Sequence, residues 1–105
     1  MTKKTKIPPI HPGRVLKTEF MEPFKLSANQ LAINLRVPAG RITTIINGER
    51  GISPDTALRL SRFFGNSAEF WINLQSQYDL QIAEDAFSAE IDADIRPLQI
   101  RASSK

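Results

Sequence analysis

The side chains best suited to chemistry lie close together, between positions 39 and 50 of the chain. Arg41, Thr43, Thr44 and Asn47 supply a guanidinium group, two hydroxyls and an amide, and isoleucines at helical spacing separate them. Such groups hydrogen-bond to the base edges or phosphates of a nucleic acid. The two residues before Arg41 are small, as close approach to a groove requires. The stretch predicts recognition rather than bond breaking.

The composition offers little material for catalysis. The chain has no Cys and a single His, His11. Disulfides, thiolate metal sites and cysteine nucleophiles are therefore impossible, and a histidine metal cluster or a Ser-His-Asp triad is hard to build. We predict that the protein is not an enzyme and uses no cofactor, no metal and no small-molecule substrate. His11 is expected to start a helix beside Pro12.

Charge is unevenly distributed along the chain, although the net charge is only +3. Residues 1–62 carry eleven basic and four acidic side chains, a net charge of +7, whereas residues 63–105 carry three basic and seven acidic ones, a net charge of −4. The basic half suits phosphate, and the acidic half is either solvated or meets a different partner. No apolar run approaches the ~20 residues of a membrane span, and no apolar signal region follows the basic N-terminus. We expect a cytoplasmic protein with no membrane partner.

Two short helices must position the hydrogen-bonding stretch. Ser27 and Gln30 form a capping box at the start of one helix. The next helix opens at Pro38 and ends at Asn47-Gly48, because glycine tolerates the left-handed cap conformation. Neither helix is long enough to be stable alone in water. Joined by a turn of a few residues, the pair forms a helix-turn-helix, whose second helix can enter the major groove of DNA.

Three further helices complete the predicted domain. Proline and glycine signals place the first helix between Pro12 and Pro23 and the fourth between residues 53 and 65. Ser67 caps a fifth helix, which carries Trp71 in the core and ends in the mid-80s. The sequence therefore predicts an all-α fold of five helices.

The chain divides into three predicted regions. Residues 1–10 form a flexible basic arm, and residues 11–86 form the helical domain, with the helix-turn-helix at about 27–47. Residues 87–105 form a C-terminal tail of helical and extended character. In this tail Ile91 and Ile95 continue an amphipathic turn, and Leu98 and Ile100 alternate as in a short strand.

The chain resembles the HigA-type antitoxins, which belong to the lambda-repressor-like (XRE) group, over roughly residues 10–82. The residues that carry the resemblance are His11-Pro12-Gly13, Glu22-Pro23, Ser27–Ala32, Val37-Pro38, Arg41–Ile52, Asp55–Leu60, Phe63–Gly65, Phe70–Gln75 and Tyr78–Leu80. The resemblance implies a five-helix lambda-repressor-like DNA-binding domain. It also implies an antitoxin that neutralises a RelE-like (HigB-type) ribonuclease toxin and represses its own operon as a homodimer on palindromic operator DNA.

The resemblance also assigns DNA contacts to individual residues. They are Ser27, Gln30, Ala39, Gly40, Arg41, Thr43, Thr44, Asn47 and Arg50. In this interpretation the helix start at Ser27 holds a phosphate with its N–H groups. Positions 39–44 contact base edges or nearby phosphates, while Asn47 and Arg50 contact the DNA backbone. For Arg41, a base contact, a phosphate contact and simple solvation all stay open.

Three departures from the family pattern bear on DNA binding. Ala28 stands where many relatives have Gln, Arg36 stands where many have a turn Gly, and Ala39-Gly40 replaces a more polar pair. Arg36 is expected to adopt a left-handed conformation unless the turn itself differs. Two other functions stay open: a solitary XRE-type regulator without a toxin, and a toxin-binding module with weak DNA binding. The acidic segment 84–94 is either a solvated face or a surface that faces the toxin or repels DNA. The fifth helix and the Ile91–Ile100 part of the tail are the candidate dimer elements.

Overall fold

The structure, a computed structural model, describes residues 8–99. Its helices are α1 (Pro12–Val15), continued by a π-helical segment (Leu16–Met21), α2 (Ala28–Leu35), α3 (Ala39–Ile46), α4 (Pro54–Phe64) and α5 (Ala68–Asp94). The described part of the chain contains no strand, and the predicted all-α, five-helix class is confirmed. None of its helices is both long and apolar enough to cross a bilayer. Most of the predicted arm (residues 1–7) and the end of the tail (residues 100–105) lie outside the described residues.

Local capping chemistry sets most of the helix ends, as predicted. The Ser27 hydroxyl oxygen accepts from the Gln30 N–H at 3.1 Å, while the Gln30 Oε1 accepts from the Ser27 N–H at 2.9 Å. Ser53 and Ser67 cap α4 and α5 through their side-chain oxygens. Gly65 ends α4 with a φ of +80°, a conformation that costs glycine little.

The core lies where the first four helices meet the N-terminal half of α5. Its buried apolar members are Leu16, Met21, Leu31, Ala32, Leu35, Ile42, Ile45, Ile52, Ala57, Leu60 and Trp71. Trp71 is fully buried, and its indole Nε1 donates to the Asn66 Oδ1 at 2.9 Å. This bond satisfies the single polar atom of the ring. The predicted place of Trp71 in the core is confirmed.

Gly13 sets how closely α1 approaches α3. A Cβ at this position would overlap the carbonyl oxygen of Ile45, so only glycine fits. His11 caps α1, because its Nδ1 accepts from the Gly13 N–H at 2.9 Å. Pro12 follows in the first turn, where a missing N–H costs nothing. The predicted role of His11 at a helix start is confirmed.

The first helix differs from the regular helix predicted between Pro12 and Pro23. Over Leu16–Met21 the hydrogen bonding widens to a π-helical pattern, and the Glu22 N–H donates to the carbonyl oxygen of Lys17 at 2.9 Å. Short π-helical turns occur inside otherwise ordinary helices. The apolar spacing of this segment fits either pattern, so no local signal marks the change.

The predicted end of the fifth helix in the mid-80s is wrong. α5 continues to Asp94, because no glycine or proline interrupts the chain until Pro97. Residues 95–99 form no strand, since a lone extended segment has nothing to pair with in the described part of the chain. The other residue of the predicted strand, Ile100, lies outside the described residues.

Candidate nucleic-acid interface

The turn between α2 and α3 is built around Arg36. This residue has the left-handed conformation, with φ +61° and ψ +44°, so that expectation is confirmed. The Arg36 N–H donates to the carbonyl oxygen of Ile33 at 3.2 Å. From α4, the Arg59 Nη1 donates to the carbonyl oxygens of Leu35 at 2.8 Å and Arg36 at 3.3 Å. These bonds help to offset the ~1–2 kcal/mol that a left-handed conformation costs a residue with a Cβ.

α3 has one buried face and one exposed face. Ile42 and Ile45 are fully buried and lock the helix onto the core. Ala39, Gly40 and Thr43 are exposed on the other side. A Cβ added at Gly40 would meet nothing within 4 Å, so this face is open as well as shallow. A helix with small exposed residues can approach a groove closely.

The two threonines of α3 turn their hydroxyl groups back to the helix. The Thr43 Oγ1 donates to the carbonyl oxygen of Ala39 at 3.3 Å. The Thr44 Oγ1 lies 2.8 Å from the carbonyl oxygen of Gly40 and 3.2 Å from that of Arg41. Both hydroxyl protons are therefore engaged within α3, and each oxygen keeps only its acceptor capacity. The Thr43 side chain is exposed and that of Thr44 is half-buried.

Arg41 does not extend freely from α3 but pairs with α4. Its Nη1 lies 3.0 Å from the Asp55 Oδ2, and the Arg59 Nε lies 3.1 Å from the Asp55 Oδ1. The hydrogen bond from Arg59 lowers the pKa of the Asp55 carboxyl most, and Arg41 lowers that pKa further. The Arg41 Nε is buried and makes no hydrogen bond within the described residues. The sequence analysis did not foresee this ion pair.

The remaining predicted contacts lie at the two ends of the helix-turn-helix. Ser27 and Gln30 are exposed at the N-terminus of α2, where their side chains complete the capping box. Asn47 is the C-cap of α3, and Arg50 is exposed on the loop that follows. The carbonyl oxygen of Thr44 accepts from the Arg50 N–H at 3.2 Å, which holds this loop against α3.

The loop after α3 is also anchored from α5. The Gln75 Oε1 accepts from the Ile52 N–H at 2.7 Å. A Cβ at Gly51 would come within 2.9 Å of the Gln75 amide, so a larger residue would displace that side chain. Gln75 in turn donates through Nε2 to the Asp79 Oδ1 at 2.9 Å. Gln75 of α5 therefore anchors the loop that carries Arg50.

No group of three or more His, Cys, Asp or Glu side chains within residues 8–99 is arranged to hold a metal ion. The candidate interface is a set of hydrogen-bonding and cationic groups around α3.

Comparison with known proteins identifies the family. The helix-turn-helix family model HTH_3 matches residues 19–71. The Pseudomonas aeruginosa antitoxin HigA, whose structure was solved with the higBA promoter, is 47% identical, with a TM-score of 0.84 over 86% of this chain and 98% of that one. Antitoxin HigA-1 of Vibrio cholerae is 34% identical over 84% of this chain and 83% of its own. The chain belongs to the HigA-type family of helix-turn-helix antitoxins.

Virulence-associated protein I of Dichelobacter nodosus is similar too, at 49% identity over 77% of this chain and 75% of its own. The HigA-type family consists of DNA-binding antitoxins and transcription regulators and is not an enzyme family. The resemblance found in the motifs of the sequence is therefore confirmed.

Within this HigA-type fold, sequence reasoning missed three side chains that shape the interface. Asp55 holds Arg41, Arg59 braces the turn, and Gln75 anchors the loop. The Asp55–Arg59 spacing of i, i+4 on a helix was a readable signal for one ion pair. The contacts of Asp55 with Arg41 and of Gln75 with Ile52 join distant positions, and no local pattern marks them.

Proposed function

We propose that this protein is an antitoxin that represses its own operon by laying the exposed face of α3 in the major groove of operator DNA. The observation that carries the proposal is the two-faced α3, with Ile42 and Ile45 buried and a shallow face of small residues open to solvent. The similarity to HigA solved with its promoter supports the same conclusion.

Three parts of the helix-turn-helix have distinct roles in this proposal. Ala39, Gly40 and Thr43 lie nearest the base pairs, where small groups permit close approach and the Thr43 methyl group can meet a thymine methyl. Asn47 and Arg50 contact phosphates and fix the register, since backbone contacts position a protein without reading sequence. At the α2 N-terminus the helix dipole favours a phosphate. Ser27 and Gln30 shape that end through the capping box.

Thr44 and Arg41 have mainly positioning roles in this arrangement. Thr44 is half-buried and bonded to α3 and to the following loop. Arg41 is held by Asp55, so its guanidinium contacts DNA only at the edge of the interface. Both residues remain part of the proposed DNA-binding set, which is Ser27, Gln30, Ala39, Gly40, Arg41, Thr43, Thr44, Asn47 and Arg50.

The partners of this function are operator DNA, a HigB-type ribonuclease toxin and a second copy of the chain. A homodimer presents two reading helices about one helical turn, ~34 Å, apart and so matches a palindromic site. The family resemblance supports the toxin, and the acidic second half of the chain suits a basic RNA-binding protein. We place this activity in the cytoplasm. Co-purification of a ribonuclease encoded beside this gene tests the toxin partner.

The test of the DNA-binding proposal is a charge placed on the open face of α3. Gly40→Glu adds a carboxylate where nothing lies within 4 Å, so the fold is retained while phosphates are repelled. We expect at least a tenfold loss of affinity in a gel shift with the DNA upstream of the gene. Asn73→Asp adds the same charge at an exposed position of α5 and is the matched control. Equal binding by the two variants would contradict the proposal.

One observation favours a second candidate function, a toxin-binding module with weak DNA binding. The centre of the α3 face, Ala39-Gly40, offers no side-chain hydrogen bond, and both threonine donors are engaged within the helix. If so, the upstream DNA and a scrambled duplex would bind the wild type equally weakly, while the toxin still co-purifies.

A further inference from the structure

A cleft lies beside the C-terminal end of α3, where the start of the described chain runs past it. The cleft has a volume of about 690 Å³. Residues 8–11 and side chains of α1 line it together with Ile46, Asn47 and Gly48. Because Asn47 is one of the proposed phosphate contacts, the cleft borders the proposed DNA-binding surface. We refer to it as the α1–α3 cleft.

Three contacts fix residues 8–11 beside α3. Gly13 lies so close to the carbonyl oxygen of Ile45 that no Cβ fits between them, which fixes α1 against α3. The His11 ring packs edge-on to Tyr78 of α5, with the ring centres 4.8 Å apart. A Cβ added at Gly48 would lie 4.0 Å from the His11 Cγ, so the loop after α3 also approaches this ring. The chain that precedes Pro8 therefore enters the domain at the end of the proposed reading helix.

The α1–α3 cleft holds one cation that is free to meet an anion. Arg14 is exposed, and no carboxylate within residues 8–99 forms an ion pair with it. Arg41 and Arg59, in contrast, are both bonded to Asp55. Glu19 also lines the cleft, so its described side chains carry no excess of positive charge. A strong phosphate site here needs further cations.

The sequence supplies those cations immediately before the cleft. Residues 1–7 contain Lys3, Lys4 and Lys6 and no acidic residue. They lie outside the described residues. Seven residues span at most about 25 Å, twice the ~12 Å width of the major groove. All three lysines are therefore within reach of the DNA backbone when α3 lies in the groove.

We propose that Arg14 and the three lysines of residues 1–7 bind phosphates of the operator DNA beside the C-terminal end of α3. The inference rests on the proposed function and deepens it by adding a backbone contact outside the helix-turn-helix. The centre of the α3 face, Ala39-Gly40, offers no side-chain hydrogen bond. Phosphate contacts supply affinity that such a face lacks, although they carry no sequence information.

The salt dependence of DNA binding tests the lysines. The triple variant Lys3→Gln, Lys4→Gln, Lys6→Gln is titrated against the DNA upstream of the gene at several salt concentrations. Each lost phosphate contact should flatten the slope of log K against log salt by about 0.9, and the triple variant by about 2.7. Its affinity at ~0.1 M salt should fall at least tenfold. A slope equal to that of the wild type would overturn the inference.

Two further triple variants separate the place of the charge from its amount. Replacing Arg96, Arg101 and Lys105 by glutamine removes the same charge near the other end of the chain and should leave the slope unchanged. Replacing the three lysines by arginine keeps the charge and should keep the slope. If the first of these variants flattened the slope as much as the lysine variant does, net charge and not a local contact would be responsible.

Arg14→Gln tests the described part of the site. We expect a slope flatter by about 0.9 and the wild-type slope in Arg14→Lys protein. Hydroxyl-radical footprinting at saturating protein locates the contact. The wild type should protect backbone positions that become accessible when Arg14 and the three lysines are all replaced by glutamine. Identical footprints for the two proteins would contradict the inference.

The inference and the proposed function fail separately. If the wild type binds the upstream DNA in preference to a scrambled duplex while the lysine and Arg14 variants keep its slope, only the inference is wrong. If the slopes flatten as expected but the wild type binds both duplexes equally, the phosphate contact stands and sequence-specific repression is contradicted. A wild type that binds neither duplex would contradict both.

Discussion

At the scale of single residues, Asp55 determines where Arg41, the basic residue of α3, is held. Its carboxylate holds Arg41 of α3 and Arg59 of α4 at 3.0 and 3.1 Å. Arg59 in turn holds the carbonyl oxygens at the end of α2. One exposed carboxylate thus connects the three helices that form the interface. The carboxyl is ionised at neutral pH, and its lowered pKa keeps it ionised in more acidic solution than an ordinary aspartate.

Asp55→Asn is therefore expected to release Arg41 toward the DNA. The freed guanidinium neutralises one more phosphate, so the slope of log K against log salt steepens by about 0.9. Affinity for a scrambled duplex rises more than affinity for the operator, since phosphate contacts carry no sequence information. Fluorescence anisotropy at several salt concentrations measures both effects. Glu69→Gln removes a charge elsewhere on the surface, and an identical slope for the two variants would contradict this role of Asp55.

His11 makes the stability of the domain depend on pH. Burial lowers the pKa of its imidazole below the ordinary 6.5, against an opposing effect of Asp79. The unfolded chain therefore binds the proton more readily, so stability is complete above about pH 6.5 and falls as the pH drops from 6.5 toward the lower folded-state pKa. Protonation also removes the Nδ1 acceptor that caps α1.

We expect His11→Asn to flatten that dependence. Asparagine retains a capping oxygen and does not titrate between pH 5 and 7. Urea unfolding at pH 7 and pH 5 should give a smaller change in unfolding free energy for the variant than for the wild type. If the unfolding free energy depends on pH equally in both proteins, titratable groups other than His11 cause that dependence.

At the scale of the elements, the α2–α3 turn carries a strain that its neighbours compensate. Arg36 stands in a left-handed conformation that a glycine would adopt without penalty. Its carbonyl oxygen and that of Leu35 are held by Arg59. The turn keeps the geometry of a helix-turn-helix although Arg36 has a Cβ, which the left-handed conformation disfavours.

Arg36→Gly should stabilise the domain by roughly 1 kcal/mol, because the relief of the strained φ exceeds the extra freedom of glycine in the unfolded chain. Arg36→Ala removes the same side chain but keeps the Cβ, so it should bring no such gain. Urea unfolding of the two variants makes the comparison. A higher unfolding free energy in both variants would show that the Arg36 side chain, and not its backbone conformation, destabilises the domain.

The elements show which parts of the fold a sequence can specify. The capping box of α2, the serine caps of α4 and α5 and the end of α4 were all predictable, because each depends on residues within one turn. The length of α5 was predicted wrongly, because residues 82–94 bury no face in this chain, although the absence of glycine and proline before Pro97 was a readable signal. The Arg41–Asp55 pair was not predictable, because it joins two helices across fourteen positions. The hydrogen-bonding stretch of α3 was predictable from residue types and helical spacing, and its individual DNA contacts, which the family resemblance implies, stay predictions.

At the scale of the whole molecule, charge and shape both distinguish the two ends of the chain. The basic half holds the helix-turn-helix and its surroundings, and the acidic half holds the whole of α5. The long axis of 57 Å reflects the exposed C-terminal half of α5, which carries carboxylates and apolar side chains away from the core. One end of the molecule therefore suits phosphate, and the other suits a protein partner.

The most direct measurement of the central claim is cleavage of operator DNA from a reagent fixed to α3. Gly40→Cys supplies a unique thiol in open space, to which an iron chelate can be attached. The account predicts cleavage at two clusters about 10 base pairs apart, one in each half of the site, as two reading helices in successive major grooves require. Cleavage spread evenly along the duplex, or absent while the DNA is bound, would contradict it.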